Sequence, residues 1–167
     1  MANYLITGGC GFIGSHLVEL LLEKNQTPIV LDNLYNGKRD NIPASVEFIE
    51  GDVCDLELVS KLMTKVDGCF HLAAIASVQA CDQEWLHAHQ VNVVGTINTF
   101  VASQRTNPDA PKPVIFTSSS AIYGHNQDLP YTESAYPMPF SAYGADKRGC
   151  ELHGKIAADV HKCNVPH

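Results

Sequence analysis

A run of glycines between a short apolar segment and a helical pattern is the feature that most restricts the fold of this 167-residue chain. The stretch ITGGCGFIGSH places Gly8, Gly11 and Gly14 in the spacing G-x-x-G-x-x-G, and Gly9 with the last two in G-x-G-x-x-G. A strand that turns into a helix at such glycines brings its backbone close to a phosphate, where a Cβ atom would be in the way. The helix N-terminus then offers free N–H groups to the anion. We therefore predict a pyrophosphate-binding turn; the alternative is a glycine-rich turn without a ligand.

An acidic residue follows the glycines at the distance typical of a dinucleotide site. Asp32 ends the apolar run TPIVLD, 18 residues after Gly14. A carboxylate there accepts hydrogen bonds from the ribose hydroxyls of an adenosine. It also favours NAD over NADP, because a 2′-phosphate would stand against its negative charge. Arg39, a few residues further on, leaves NADP open as the alternative cofactor.

Apolar runs alternate with helical patterns along the whole chain. Buried strands separated by helices predict a doubly wound parallel α/β sheet, Rossmann-like, with helices on both faces and a single domain over residues 1–167. The predicted strands are 4–7, 27–32, 46–52, 69–74 and 112–120, and the predicted helices are 12–24, 56–65, 83–106 and 141–163.

Composition excludes several classes of protein. The net charge is −7 with no lysine or arginine run, whereas nucleic-acid binding usually needs a basic surface. No apolar run is long enough to span a membrane, and the start of the chain lacks the features of a secretion signal. Six cysteines without C-x-x-C spacing predict free thiols in a reducing cytoplasm, and eight histidines show no metal-binding spacing.

Two further strand ends carry candidate cofactor contacts. Asp52 follows the third predicted strand, where it could accept a hydrogen bond from the adenine amino group while Val53 packs against the ring. The alternative for Asp52 is the N-cap of the helix that begins near residue 56. The small residues at 72–74 follow the fourth strand, where a cofactor would pass close to the backbone, and we interpret His71 as a packed strand residue.

Near the C-terminus, Tyr143 and Lys147 stand four positions apart in the stretch SAYGADK. Residues at i and i+4 share a helix face, so both groups can point at one site. A tyrosine has an ordinary pKa near 10 and is a poor base at pH 7; lowering the pKa by ~3 units requires about 4 kcal/mol. One cation ~6 Å away supplies about 3 kcal/mol at an effective dielectric near 20. The alternative is two surface residues that happen to share a face.

Three stretches, TGGCGFIGSH, FTSSSAIYG and YGADK, resemble in order and spacing the extended short-chain dehydrogenase/reductase family, and within it the nucleotide-sugar epimerases. The stretch LDNLYNGKRDNI at 31–42 is similar to the epimerase pattern after the second strand. The resemblance covers essentially the whole chain. It implies a Rossmann-like fold with tightly bound NAD and, as substrate, a nucleotide sugar, with UDP-glucose and UDP-galactose as the type.

The resemblance also assigns site residues. The implied catalytic residues are Ser119, Tyr143 and Lys147, with Ser118 and Ser120 as one-residue alternatives to Ser119. Asn92 matches a helix position that helps to set the active-site loop; its alternative is an ordinary helix residue. The implied cofactor contacts are Gly8, Gly11, Phe12, Ile13, Gly14, Asp32, Asn33, Asn36, Gly37, Asp52, Val53, Leu72, Ala73, Ala74, Asn92, Thr117, Tyr143 and Lys147.

The implied reaction inverts C4 of the sugar through a transient 4-keto intermediate. Tyr143 would take the proton of the 4-hydroxyl, NAD⁺ would take and return the hydride, and Ser119 would hydrogen-bond the sugar oxygen. The positive charge of the oxidised nicotinamide would add to that of Lys147 in lowering the pKa of Tyr143.

Alternatives remain within and outside the family. A 4,6-dehydratase typically shows Thr-Asp-Glu where this chain has Ser119, Ser120 and Ala121, which disfavours dehydration; a reductase of the same family and a non-catalytic NAD-binding module also stay open. The smaller substrate-binding domain of the family is absent from this chain, so we expect a fragment that binds NAD without completing the reaction. A homodimer is expected through two helices, with an apolar stripe at Val94, Ile97, Val101, Ile156 and Val160.

Overall fold

A computed structural model describes residues 1–125 and 129–165. Five parallel strands form one sheet in the order β3-β2-β1-β4-β5. They are β1 (Asn3–Thr7), β2 (Thr27–Asp32), β3 (Glu47–Glu50), β4 (Gly68–His71) and β5 (Val114–Phe116). The helices are α1 (Phe12–Glu23), α2 (Leu56–Met63), α3 (Val78–Gln83), α4 (Trp85–His89), α5 (Gly95–Thr106) and α6 (Ala142–Asp159), with short 3₁₀ turns at Arg39–Asn41 and Ser120–Ile122. The predicted doubly wound Rossmann-like fold is confirmed.

Two hydrophobic clusters lie on opposite faces of the sheet. Leu5 and Leu31 point to the face covered by α2, α5 and α6, whereas Ile6 and Val30, their neighbours in sequence, point to the face covered by α1. Successive side chains of a strand alternate between faces, so parallel strands covered on both sides read as continuous apolar runs. The near-continuous apolar runs of the sequence are therefore explained by helices on both faces.

The strand order places a crevice at the centre of the sheet. The chain leaves β1 toward β2 on one side and later returns to place β4 on the other. Loops that follow β1 and β4 therefore diverge at the carboxyl edge of the sheet, which is where ligands bind in folds of this type.

The long helix predicted over 83–106 is wrong in detail. The segment is divided among the end of α3, then α4, a π-helical turn over Gln90–Val94, and α5. The π-helical turn contains Asn92, whose side chain bonds to the loop after β4. Such single-turn π segments accompany functional sites more often than ordinary helix interiors do.

The second predicted strand, 27–32, matches β2, whereas the third, fourth and fifth predicted strands are longer than the observed ones. β4 ends at His71 rather than residue 74, and β5 covers only Val114–Phe116 of the predicted 112–120. The small residues that follow β4 and β5 no longer pair with a neighbouring strand and continue toward the crevice.

The six cysteines are free thiols, as predicted, and five of them are buried. Burial raises the pKa of Cys69 to about 12. Within residues 1–125 and 129–165, none of the helices combines the length and the apolar character that crossing a membrane requires.

Two helical glycines should respond oppositely to replacement by alanine. A Cβ on Gly14 would lie 2.3 Å from the carbonyl oxygen of Gly8, whereas a Cβ on Gly149 would meet only Val93 at an ordinary 3.9 Å. We expect Gly14→Ala to lower the free energy of unfolding by about 1–3 kcal/mol. Gly149→Ala should raise it by about 0.5–1 kcal/mol, because alanine loses less backbone entropy in a helix. Urea denaturation measures both; equal effects of the two substitutions would contradict the close packing at Gly14.

Candidate cofactor and active site

The glycine turn after β1 is held in a conformation that suits an anion. Gly8 has a positive φ of 71°, and its N–H donates to Leu31 O at 2.9 Å. Gly11, the N-cap of α1, provides no side-chain acceptor. The first N–H groups of a helix have no partner within the helix, so the exposed start of α1 at Phe12 and Ile13 can donate to a phosphate.

Asp32 fastens this turn to the loop after β2. One carboxylate oxygen accepts from the N–H of Cys10 at 2.9 Å, and the other accepts from the N–H of Leu34 at 2.8 Å. The side chain is 8% exposed. Each carboxylate oxygen can accept more than one hydrogen bond, so ribose hydroxyls can still bind. Asp32 therefore shapes the candidate site in addition to lining it.

A groove lies along the carboxyl edge of β1, β2 and β4. Ten of the predicted cofactor contacts line it, namely Gly8, Gly11, Asp32, Asn33, Asn36, Gly37, Val53, Leu72, Ala73 and Ala74. The wall at Gly8 is so close that a Cβ there would stand 2.7 Å from Ala73 N. These residues fit an extended dinucleotide: a phosphate cradle of backbone N–H groups in the middle and an acidic ribose acceptor toward one end.

Sequence reasoning missed several residues of the groove. They are Leu31, Tyr35, Gly51, Ile75, His87 and Val91. Tyr35 lies inside the stretch LDNLYNG, and the similarity of that stretch to the epimerase pattern could have identified Tyr35 as a groove residue. His87 and Val91 reach the groove from the region predicted as one helix, in which α4 passes into the π-helical turn.

Asp52 does not cap the helix that follows it. Its carboxylate accepts from the N–H of Cys54 at 2.8 Å and from the side-chain amide of Asn33 at 3.3 Å. The N-cap of α2 is Asp55, which accepts from the N–H of Leu58 at 3.0 Å. The N-cap alternative for Asp52 is therefore wrong, and its carboxylate is bonded instead to Asn33, which lines the groove.

Arg39 is engaged away from the carboxylate of Asp32. Its guanidinium donates to the carbonyls of Ile42 at 3.0 Å and Ala44 at 3.4 Å, and lies 5.1 Å from the centre of the Phe48 ring. These contacts fix the loop between β2 and β3. An arginine held in this way is poorly placed to bind the 2′-phosphate of NADP. Its position therefore supports NAD as the cofactor.

The structure brings Ser119, Tyr143 and Lys147 together at the end of β5. The side chain of Ser119 lies beside Tyr143, close enough for its hydroxyl to lower the pKa of the phenol. Lys147 Nζ donates to Thr117 O at 2.9 Å and lies 6.0 Å from the centre of the Tyr143 ring. Ser118 Oγ instead donates to Glu151 at 2.6 Å. Among the three consecutive serines, Ser119 is therefore the one that the fold joins to the tyrosine.

Burial governs the ionisation of this pair. It raises the pKa of Tyr143, and the hydrogen bond of Ser119 lowers that pKa by a smaller amount. Lys147 is 4% exposed, and burial lowers its pKa as well. In the chain itself, removal of the phenolate from water is the largest influence on the pKa of Tyr143. Acidification of Tyr143 by Lys147 together with NAD⁺ stays a prediction.

Asn92 is a positioning residue rather than a contact of the groove. It is 1% exposed, and its amide bonds to both backbone groups of Ile75: Oδ1 accepts from N–H at 2.9 Å and Nδ2 donates to the carbonyl at 3.2 Å. Ile75 lines the groove next to Ala74. Asn92 therefore sets the loop after β4, and direct contact with a cofactor, which was also predicted for it, is not supported.

A directed chain of hydrogen bonds crosses the core beneath the groove. Thr96 Oγ1 donates to Asn92 O at 2.6 Å, so it must accept from Nε2–H of His71 at 3.0 Å. His71 Nδ1 is then the acceptor for the hydroxyl of Thr7 at 2.7 Å, and Thr7 in turn accepts from the N–H of Ala73. This arrangement requires a neutral imidazole. His71 is a packed strand residue, as predicted.

Comparison with known proteins agrees with this geometry. The profile of the NAD dependent epimerase/dehydratase family matches residues 4–165. The chain is similar to a UDP-glucose 4-epimerase of Lactobacillus helveticus, with 37% identity over 162 residues, 96% of this chain and 47% of that protein. A crystal structure of a Thermotoga maritima UDP-glucose 4-epimerase with UDP-glucose superposes with a TM-score of 0.91 at 34% identity, over 96% of this chain and 52% of that one. The Brucella ovis UDP-glucose 4-epimerase in complex with NAD gives 0.91 at 32% identity, over 99% and 50%. The chain spans about half the length of these relatives.

The buried imidazole should make the fold sensitive to acid. Burial lowers the pKa of His71 from 6.5 to about 3, with the Lys147 charge as a smaller cause. Below pH 6.5 the unfolded chain binds a proton that the folded chain does not, so stability falls as the pH falls toward 3. Between pH 7 and 5 this contributes about 2 kcal/mol of lost stability.

We therefore expect His71→Gln to lose less stability between pH 7 and 5 than the parent chain does, whatever its stability at pH 7. The exposed His16 provides the matched control, since His16→Gln should leave the pH dependence unchanged. Urea denaturation at several pH values measures the difference. Parallel curves for the parent and His71→Gln would show that His71 is not neutral in the folded chain.

Proposed function

The chain belongs to the NAD-dependent epimerase/dehydratase family, and we propose that it forms the cofactor-binding part of a nucleotide-sugar 4-epimerase. The observation that carries this proposal is the cluster of Ser119, Tyr143 and Lys147 at the carboxyl edge of the same sheet as the dinucleotide groove. A base, a hydroxyl donor and a cation near a hydride carrier are what reversible oxidation of a sugar alcohol needs. UDP-glucose and UDP-galactose are the proposed substrates, by analogy with the relatives.

Each of the three side chains has a role in this chemistry. Tyr143 takes the proton of the 4-hydroxyl, and Ser119 donates a hydrogen bond to the sugar oxygen as it gains carbonyl character. Lys147, fixed by the carbonyl of Thr117, holds a positive charge near the phenol. NAD⁺, when bound, supplies the hydride acceptor at C4 and a second positive charge. That charge is needed because burial raises the pKa of Tyr143, and one cation at ~6 Å contributes only about 3 kcal/mol.

Reactions other than epimerisation are less well supported at this site. Dehydration requires an additional acid, and Ser120 and Ala121, which follow Ser119, cannot provide one. A reductase would release its sugar in a changed oxidation state, whereas an epimerase returns the hydride to the same sugar. A non-catalytic NAD-binding module would not need Tyr143 and Lys147 together on one helix face.

We further propose that residues 1–167 are the NAD-binding domain of a cytoplasmic enzyme. Since the chain spans about half the length of its relatives, contacts to the sugar and its nucleotide are expected from a second domain like the other half of those proteins. The test joins this chain to the C-terminal half of the Thermotoga maritima enzyme and assays UDP-glucose, UDP-galactose and their N-acetyl forms. Interconversion at C4 without net change in NADH is expected; release of a 4-keto-6-deoxy sugar would instead indicate a dehydratase.

Substitutions in the catalytic cluster should separate turnover from cofactor binding. In the joined enzyme, Tyr143→Phe should lose at least about a hundredfold in kcat while NAD affinity stays within about twofold, because general base catalysis contributes 10²–10⁴-fold. Ser119→Ala should also lower kcat. Ser118→Ala is the matched control, since Ser118 bonds to Glu151 away from the phenol. A larger loss in Ser118→Ala than in Ser119→Ala would reverse the assignment.

Removal of the lysine charge should move the pH dependence of the reaction. Without a positive neighbour the phenolate of Tyr143 is less favourable, so its pKa rises in Lys147→Met. We expect the limb of the pH–rate profile along which activity rises with pH to shift upward by about 2 units in the joined enzyme. Lys155→Met serves as the control, because Lys155 is exposed and pairs with Asp159. Superimposable profiles for the parent and Lys147→Met would reduce the pair to two neighbours on a helix.

We also propose a homodimer through α5 and α6. Of the predicted apolar stripe, Val94, Ile156 and Val160 are exposed and Ile97 and Val101 are partly buried. Ile97, Val101 and Ile156 line an apolar hollow between the two helices. Light scattering should show a dimer, and Ile156→Lys should convert it to a monomer with unchanged NAD affinity. A parent chain that stays monomeric at 100-fold different concentrations, about 1 to 100 μM, would exclude this interface at the affinities typical of stable dimers.

A further inference from the structure

Two aromatic side chains meet across the mouth of the groove. The rings of Tyr35 and His87 have centroids 6.2 Å apart and an interplanar angle of 61°, an edge-to-face arrangement. Tyr35 lies in the loop after β2, and His87 lies on α4, which follows β4. Since β2 and β4 flank β1 on opposite sides, a contact between these two segments passes over the end of β1. That end carries the glycine turn.

Both rings belong to the wall of the groove itself. Tyr35 is 49% exposed, and His87 is exposed as well, so neither ring is packed into the core. The backbone beneath His87 is fixed by contrast. Ala88 is fully buried, and His89 Nδ1 pairs with Asp146 on α6 at 2.7 Å. The rings can therefore swing apart without any disturbance of the core or of α4.

Charge gives His87 a second reason to contact the cofactor. The dinucleotide carries two negative charges on its pyrophosphate, and the chain has a net charge of −7. Asp32 is the charged acid of the groove wall, and neither lysine nor arginine is among the lining residues that the structure describes. An imidazole is the side chain of this wall that can offer both a hydrogen-bond donor and a positive charge to a phosphate.

We propose that Tyr35 and His87 are cofactor-binding residues that form a latch over the adenosine–pyrophosphate half of NAD. This inference rests on the proposed use of the groove for NAD. The latch opens to admit the dinucleotide and closes across it, so its main effect is on the rate of release. An edge-to-face aromatic pair contributes modestly to affinity, which corresponds to a severalfold change in that rate.

The single tryptophan of the chain provides the measurement. Trp85 lies on α4 two residues before His87 and is exposed. Energy transfer from Trp85 to NADH reports binding directly, and displacement of NADH by excess NAD gives the dissociation rate by stopped flow. The chain itself is used, so the readout does not depend on turnover.

We expect Tyr35→Ala and His87→Ala each to raise the dissociation rate about three- to tenfold, with smaller changes in the association rate. The double variant should release NADH no faster than the faster single variant, because both substitutions break the same contact. Tyr35→Phe keeps the ring and should behave like the parent. Tyr136→Ala, at an exposed tyrosine outside the groove, is the matched control.

Several results would overturn the latch. One is that both single variants release NADH at the rate of the parent within experimental error. Another is that the effects of the two substitutions on the rate are strictly additive in the double variant. A third is that Tyr136→Ala raises the rate as much as they do. Thermal denaturation without cofactor separates a structural role, since a latch variant should keep the melting temperature of the parent. A parent chain that gives no energy transfer at millimolar NADH would refute the cofactor groove, and the latch with it. Normal NADH binding with unchanged variants would refute the latch alone.

Discussion

The carboxylate of Asp32 holds together the parts from which the rest of the site is built. It is bonded at once to the N–H of Cys10 in the glycine turn and to that of Leu34 in the loop after β2. The turn fixes where α1 begins, and the loop fixes one wall of the groove. A buried acid with two charge-assisted hydrogen bonds is strongly held, because loss of either partner would leave polar groups unsatisfied. The acceptor geometry for a ribose is thus prepared by the fold before any ligand arrives.

The proposed catalytic cluster shows the opposite balance: the fold fixes its geometry, but it does not lower the pKa of Tyr143. Ser119 and Lys147 are fixed beside Tyr143 by backbone partners on β5 and its extension. Burial nevertheless raises the pKa of the phenol and lowers that of the ammonium. A site arranged in this way keeps the phenol protonated until a positively charged ligand enters, which would couple proton removal to the presence of the oxidised cofactor.

Local sequence signals predicted the fold and most of the groove, whereas contacts between distant segments did not follow from them. The glycines and Asp32 could be assigned because strand, turn and helix are contiguous and their spacing carries the geometry. The π-helical turn within the helix predicted over 83–106 contains Asn92, which bonds to Ile75, and no periodicity reveals this contact between two elements. The meeting of Tyr35 with His87 has the same origin, since it requires the strand order as well as the residues. The effect of burial on the pKa of Tyr143 could not be predicted either, because an i, i+4 pair does not show how far its side chains are withdrawn from water.

The polar chain beneath the groove has an evolutionary consequence. The side chains of Thr7, His71 and Thr96 are hydrogen-bonded to one another, and the main-chain oxygen of Asn92 is the last acceptor. Replacement of one member by an apolar residue leaves its partner in the core without a hydrogen bond, which lowers stability. Simultaneous replacement of the set can leave stability nearly unchanged. The positions are therefore epistatic: the fitness effect of a substitution at one depends on the residues at the others. A lineage is expected to keep the network whole or to lose it whole, and intermediates with half of it should be rare.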